Sequence, residues 1–246
     1  MMASQADQVS PMGRQATVAA EPTDSVSFER LLHGRFSCRA YLPDRVPHAT
    51  IEAILELAQF TASWCNSQPW EVLITEGEGT ERFRDALYNH ALTTPNASND
   101  HPFPERYVGQ FKDRQRECGW QLYRSLGIEH GDRAASGQQA MENFRLFGAP
   151  HAAIITSERD LGVYGVLDCG GYVQNFLLAA RSLGIASIAQ AALAMHGKFV
   201  RAYFGIPENR TIICGISFGY ADPGHPANAF RTGRASPASV TKWFED

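Results

Sequence analysis

Arg35, Ser37 and Arg39 occupy alternate positions of one short segment, Arg35-Phe36-Ser37-Cys38-Arg39. In an extended segment alternate side chains share a face, so two guanidiniums and a hydroxyl converge on one point. Arginine offers a planar fork of donors, which suits a dianionic phosphate. One helix downstream stands Ser63-Trp64-Cys65-Asn66-Ser67-Gln68-Pro69-Trp70. Ser63 and Asn66 bring short, directional polar groups, and Pro69 pushes Gln68 towards an extended backbone, so a helix ends here and a strand begins. Arg231 and Arg234 lie in a glycine-containing polar tail. Taken singly, each arginine reads as a solvated surface charge; for Arg35 and Arg39 the Asn-x-Gln-Pro-Trp stretch in the same chain reverses that reading.

The elements that must position these groups follow from periodicity. Asp24 is expected to cap a helix over residues 26–33 that ends at Gly34, and Pro47 to begin another, with Ile51, Ile54, Leu55 and Ala58 as its apolar stripe. Both helices deliver the chain into a polar segment. Trp70 anchors a strand over 71–75, and Thr80 caps a helix to residue 91. A loop rich in Pro and Asn follows over 93–104, then polar-faced helices over 105–126 and 132–147 and a strand over 152–156. The helix predicted over 163–183 is apolar nearly all round in its second half, as a buried central helix is, and Gly170-Gly171 would admit another helix closely. Strands over 186–190 and 211–219 flank a helix over 196–204. Strands separated by helices indicate an α+β sandwich on a small sheet.

With 246 residues, 44% of them hydrophobic, the chain can bury one sizeable core. Residues 26–246 are expected to form one domain, and residues 1–25, without hydrophobic periodicity, a disordered tail. A net charge of −4, from 22 basic and 26 acidic residues, gives no electrostatic reason for a nucleic acid or an anionic membrane as partner. Five cysteines without a Cys-x-x-Cys pair fit reduced thiols in a cytoplasmic protein, with Cys38 and Cys65 as small buried packing residues. No signal-peptide pattern and no membrane-span candidate occurs. The histidines lack metal-ligand spacing, there is no Gly-x-Ser-x-Gly elbow, and Gly77-x-Gly79 meets Arg82 where a dinucleotide loop needs glycine, so neither a metal site nor a hydrolytic nucleophile is expected.

The two polar segments together resemble the nitroreductase family of FMN-dependent oxidoreductases, whose members carry Arg-x-Ser-x-Arg, a helix, and Pro-Ser-x-x-Asn-x-Gln-Pro-Trp. Thr61-Ala62 stand where a proline often precedes the serine. The resemblance continues through residues 171–180, 184–187, 219–222 and 231–234, and residues 143–150 are similar to the nitrobenzoate-reductase-like branch. It implies a nitroreductase-like sandwich, a central mixed sheet surrounded by helices, in an intertwined homodimer. It implies FMN, with Arg35, Ser37, Arg39 and a C-terminal arginine, Arg231 or preferably Arg234, on the phosphate and ribityl chain, and Arg39 also near ring atoms N1 and O2. Ser63 and Asn66 of the other chain would meet the ring edge, and backbone N–H groups of the stretch with Gln190, Ala191 and Leu193 would lie near N5 and O4. NAD(P)H as co-substrate, a small aromatic nitro compound as acceptor and ping-pong kinetics complete the expectation; the flavin carries the chemistry, so no side chain is assigned a catalytic role. A reductive dehalogenase, a quinone or enoate reductase, or a non-catalytic flavin-binding module are the alternatives.

Overall fold

The computed structural model describes residues 22–95 and 97–245. Most of the tail expected to be disordered lies outside these residues. Residues 22–25 are described and are helical, because α1 (Pro22–Gly34) starts at a proline rather than near residue 26. Proline suits a first helical turn, where its missing N–H has no partner to lose.

The chain continues through α2 (His48–Gln59), β1 (Trp70–Thr75), α3 (Glu78–Thr93), α4 (Gly109–Ser125), α5 (Arg133–Met141) and β2 (His151–Glu158). Then follow α6 (Gly162–Ser182), β3 (Ala186–Gln190), the single turn α7 (Ala191–Ala194), α8 (Gly197–Phe204) and β4 (Arg210–Gly219). Two local expectations change. Gly77 (φ +53°), not Thr80, stands before α3, and Thr80 is buried with its hydroxyl donating to Thr75 Oγ1 at 3.0 Å. Asp132 does cap α5, accepting from the Ala135 N–H at 2.9 Å, but the helix ends at Met141 because Leu146 and Phe147 turn left-handed (φ +58° and +53°) on the way into β2.

The sheet order is β1-β2-β4-β3. All three ladders are antiparallel, which corrects the mixed sheet expected above. Helices between strands permit parallel crossovers without requiring them, and here each connection is long enough to return a strand in either sense. One parallel pairing does occur among the described residues, an isolated bridge between Ser37 and Ser187.

The central strand β2 is buried along almost its whole length, and its alternation divides the core. Ala153 and Ile155 face α2 and α6, where Ile51, Ile54, Tyr172 and Phe176 pack; Ala152 and Ile154 face α3, α7 and α8, where Phe83, Leu87, Leu193 and Val200 pack. Each fully buried aromatic or aliphatic side chain is worth about 1.5–3 kcal/mol. Trp70 is an anchor as expected, stacked on Tyr172 with ring centroids 4.9 Å apart and donating from Nε1 to Gln59 Oε1 at 3.0 Å. No described helix is long and apolar enough to cross a membrane.

His151 ties the loop after residue 41 to the sheet. Its Nε2 accepts from the Val46 N–H at 3.0 Å and its Nδ1 lies 3.3 Å from the Thr75 carbonyl, a pairing that requires the neutral ring. Burial lowers its pKa from the ordinary 6.5. The unfolded chain therefore takes up this proton first, so the contribution to stability is complete above about pH 6.5 and is lost as pH falls through that value towards the folded pKa. In urea melts from about pH 7 to about pH 5, His151→Phe should be less stable at the upper end, by about 1–3 kcal/mol for the orphaned Val46 N–H, and should lose less stability on acidification. An unchanged pH slope in the variant would show that another group sets it.

Candidate cofactor site

The helix α1 closes at Gly34, whose lack of a Cβ leaves room for the Arg181 guanidinium of α6, 2.8 Å from where a Cβ would stand. The next residues run extended beside the edge of β3: Ser37 bridges Ser187, and the Cys38 N–H donates to the Ser187 carbonyl at 3.2 Å. Alternation follows. Cys38 and Ala40 are buried, while Arg35, Ser37 and Arg39 stay partly open on the other face.

The C-terminal segment closes over that face. Asn228 fastens the two: its Oδ1 accepts from the Arg39 N–H at 2.8 Å, and its Nδ2 donates to the carbonyls of Ala40 and Asp222, both at 2.9 Å. Arg231 lies over the Phe36 ring at 3.9 Å and Arg39 over the Phe230 ring at 5.7 Å. The result is a cavity of about 690 Å³ lined by Arg35, Ser37, Arg39, Arg231 and Arg234, with Gln174 of α6 and Cys118 of α4 among its other walls.

The charge in this cavity is unbalanced. Arg159, Arg201 and Arg210 elsewhere in the fold are each paired with carboxylates. Among the described residues none of the four cavity arginines has such a partner. Burial lowers the Arg35 pKa, and the neighbouring Arg234 charge lowers it further; burial does the same at Arg39. Arg39, Arg231 and Arg234 each commit one nitrogen, Nη1, to carbonyl or hydroxyl oxygens of their own segments, and their remaining guanidinium donors have no hydrogen-bond partner among the described residues. Crowded, partly desolvated cations without counter-charge are costly unless an anion joins them. A phosphate fits this donor set.

Ser63 and Asn66 do not line this cavity. Ser63 precedes and Asn66 ends a 3-10 turn (Trp64–Asn66); Cys65, Asn66 and, just beyond the turn, Gln68 have left-handed backbones, φ +51°, +54° and +47°. Such non-glycine conformations cost on the order of 1–3 kcal/mol each and gather at functional sites. Ser63 Oγ accepts from the Gln68 N–H at 2.9 Å, and the Asn66 amide is exposed without a side-chain hydrogen bond among the described residues. Cys65 is exposed as well, which corrects its expected burial: the left-handed turn presents its side chain outward, whereas Cys38 is fully buried as expected.

Comparison with known proteins gives the family. The nitroreductase family model matches residues 32–220. The chain belongs to the nitroreductase family. Over 216 residues it is 36% identical to nitroreductase NfnB of Mycolicibacterium smegmatis, covering 87% of this chain and 92% of that one. Over 212 residues it is 34% identical to a 4-nitrobenzoate reductase of a Nocardioides species, covering 85% and 86%. The crystal structure of the FMN-dependent nitroreductase NfnB from Mycobacterium smegmatis in complex with NADPH superposes with a TM-score of 0.85 at 35% identity, over 90% of this chain and 99% of that one.

In this nitroreductase the third expected stretch divides. Gln190 is buried, its Oε1 accepting from Ser217 Oγ and its Nε2 donating to the Asn143 carbonyl at 3.0 Å, so its side chain is spent on structure. Leu193 is fully buried against Gly215, where a Cβ would meet Leu193 Cδ2 at 2.3 Å. Only Ala191 is exposed. The side chains of Gln190 and Leu193 therefore take no part in a ligand site, and any role of this stretch belongs to its backbone. Asn228, Phe36 and Phe230 went unnoticed in the sequence. The adjacent pairs Arg35-Phe36 and Phe230-Arg231 carried a signal for the aromatic supports; Asn228 carried none.

Proposed function

We propose that the protein is an FMN-dependent oxidoreductase that uses NAD(P)H to reduce nitroaromatic compounds of the nitrobenzoate kind. The observation that carries this reading is the gathering of Arg35, Arg39, Arg231 and Arg234, unpaired with any described carboxylate, around one cavity. Bound FMN would supply the redox chemistry, taking a hydride from the nicotinamide and passing electrons to the acceptor. Arg35, Ser37, Arg39 and Arg234 hold the phosphate and ribityl chain, and the charge of Arg39 favours the electron-rich form of the ring. Ser63 and Asn66 reach the ring edge, and backbone N–H groups around Ala191 support it from the other side.

The functional unit in this reading is a homodimer in which the arginines of one chain meet Ser63 and Asn66 of the other. Its support is the open apolar face formed by Val163, Tyr164 and Leu167 of α6 with the neighbouring Trp64, all exposed in the single chain. Five free cysteines fit a reducing, cytoplasmic setting.

Purified protein should be yellow, should have the mass of two chains by light scattering, and should oxidise more than one equivalent of NAD(P)H per flavin anaerobically only when 4-nitrobenzoate or a related acceptor is present. NAD(P)H and acceptor are taken to occupy one pocket in turn, so initial-rate lines at several fixed acceptor concentrations should be parallel. Intersecting lines would establish two pockets. Flavin-loaded protein that fails to turn over NAD(P)H with every acceptor tried would refute the enzymatic reading.

A further inference from the structure

The turn at residues 64–68 has three non-glycine residues in left-handed conformations, and such a backbone persists only where its surroundings hold it. Its own bonds fold it upon itself: the Asn66 N–H reaches the Ser63 carbonyl, and the Ser67 N–H the Trp64 carbonyl, both at 3.0 Å. These do not fasten it to the body of the protein. Gln59 Nε2 of α2 donates to Gln68 Oε1 at 2.9 Å at its far end, and one face of α6 holds its start. Asp168 Oδ2 accepts from the Trp64 N–H at 3.0 Å across 104 residues of chain. Three and seven residues further along the same helix, a Cβ at Gly171 would meet the Thr61 methyl at 3.2 Å, and Asn175 Nδ2 donates to Thr61 Oγ1 at 2.8 Å. This spacing places all three on one side of the helix. Gly171 thus serves approach to a loop of its own chain, while a Cβ at Gly170 would meet nothing.

We infer that Asp168 is a positioning residue for the flavin site: its carboxylate, lacking any ion-pair partner among the described residues, holds the strained turn in the shape that presents Ser63 and Asn66. A backbone N–H donated to a carboxylate is a charge-assisted bond, stronger and more directional than one to water. Trp64 N–H is the first amide of the turn, so fixing it fixes the entry into the left-handed residues that follow. The inference rests on the flavin reading given above.

The test compares wild-type, Asp168→Ala and Asp168→Asn proteins, since asparagine keeps an oxygen acceptor of the same shape. Two readouts apply: the FMN dissociation constant by fluorescence titration of apoprotein, and hydrogen exchange of the peptide spanning residues 63–68 in the absence of FMN. Asp168→Ala should exchange faster in that peptide, with the rest of the chain unchanged, and should bind FMN at least tenfold more weakly; Asp168→Asn should recover most of both. Unchanged exchange in Asp168→Ala would show that the carboxylate does not hold the turn. Faster exchange with unchanged FMN affinity would show that the turn does not serve the flavin. Wild-type protein that binds no FMN would instead defeat the functional reading, and the exchange comparison would still decide whether Asp168 holds the turn.

Discussion

Replacing Arg35 or Arg234 by alanine should weaken FMN binding by roughly tenfold to a hundredfold, because each charge-assisted hydrogen bond to phosphate is worth about 1.5–3 kcal/mol. Burial lowers the Arg35 pKa and the neighbouring Arg234 charge lowers it further, so an anion between the two relieves an unfavourable charge in the free protein. Two consequences distinguish a ligand role from a structural one. The apoprotein of either variant should be as stable as wild type or slightly more so, since a like-charge contact is removed and Arg35 donates no side-chain hydrogen bond among the described residues. The double variant should lose more affinity than either single one, with departure from additivity measuring the coupling between neighbours. Thermal melts of apoprotein and FMN titrations read both quantities. Unchanged affinity in both single variants would place the phosphate elsewhere.

The largest loss of stability should follow Asp100→Ala. Asp100 is little exposed and gathers three elements: Oδ2 accepts from Arg201 Nη2 of α8 at 2.8 Å and from the Ile212 N–H of β4 at 2.8 Å, while Oδ1 lies 3.3 Å from Arg159 Nη2. Arg201 is itself almost buried. Removing one member of a buried pair costs about 3–5 kcal/mol, and Arg201 would keep only the exposed Glu208, whose Oε1 lies 3.8 Å from its Nε. Asp100→Asn, which keeps acceptors but not charge, should fall between. Chemical denaturation with a loss below about 1 kcal/mol for the alanine variant would show that solvent replaces the carboxylate. Tight packing at this loop also appears at Gly197, where a Cβ would come within 3.0 Å of the Ser98 carbonyl.

The candidate cofactor residues were legible in the sequence because their chemistry is local. Arg35, Ser37 and Arg39 alternate in three consecutive odd positions, and the fold confirms the extended backbone and shared face that this alternation requires. Element types were legible for the same reason. The strand Ala186–Gln190 and the helix α6 carry their own periodicity, and Pro47 and Gly34 mark helix ends through backbone constraints that need no distant partner.

Tertiary structure decided what depends on groups far apart in the chain. The antiparallel order of the sheet was open, since a helical connection fits either strand direction. The gathering of Arg231 and Arg234 over Arg35 rests on Asn228, which joins segments separated by 189 residues. The left-handed turn at residues 64–68 contains no glycine to announce it, and its anchor, Asp168, reads in sequence as one more carboxylate on a helix. Burial likewise made the Gln190 side chain a strut for Asn143 and Ser217. A sequence specifies which groups can bind and bend the backbone locally; which of them keep free donors is settled only when distant segments pack and satisfy the others.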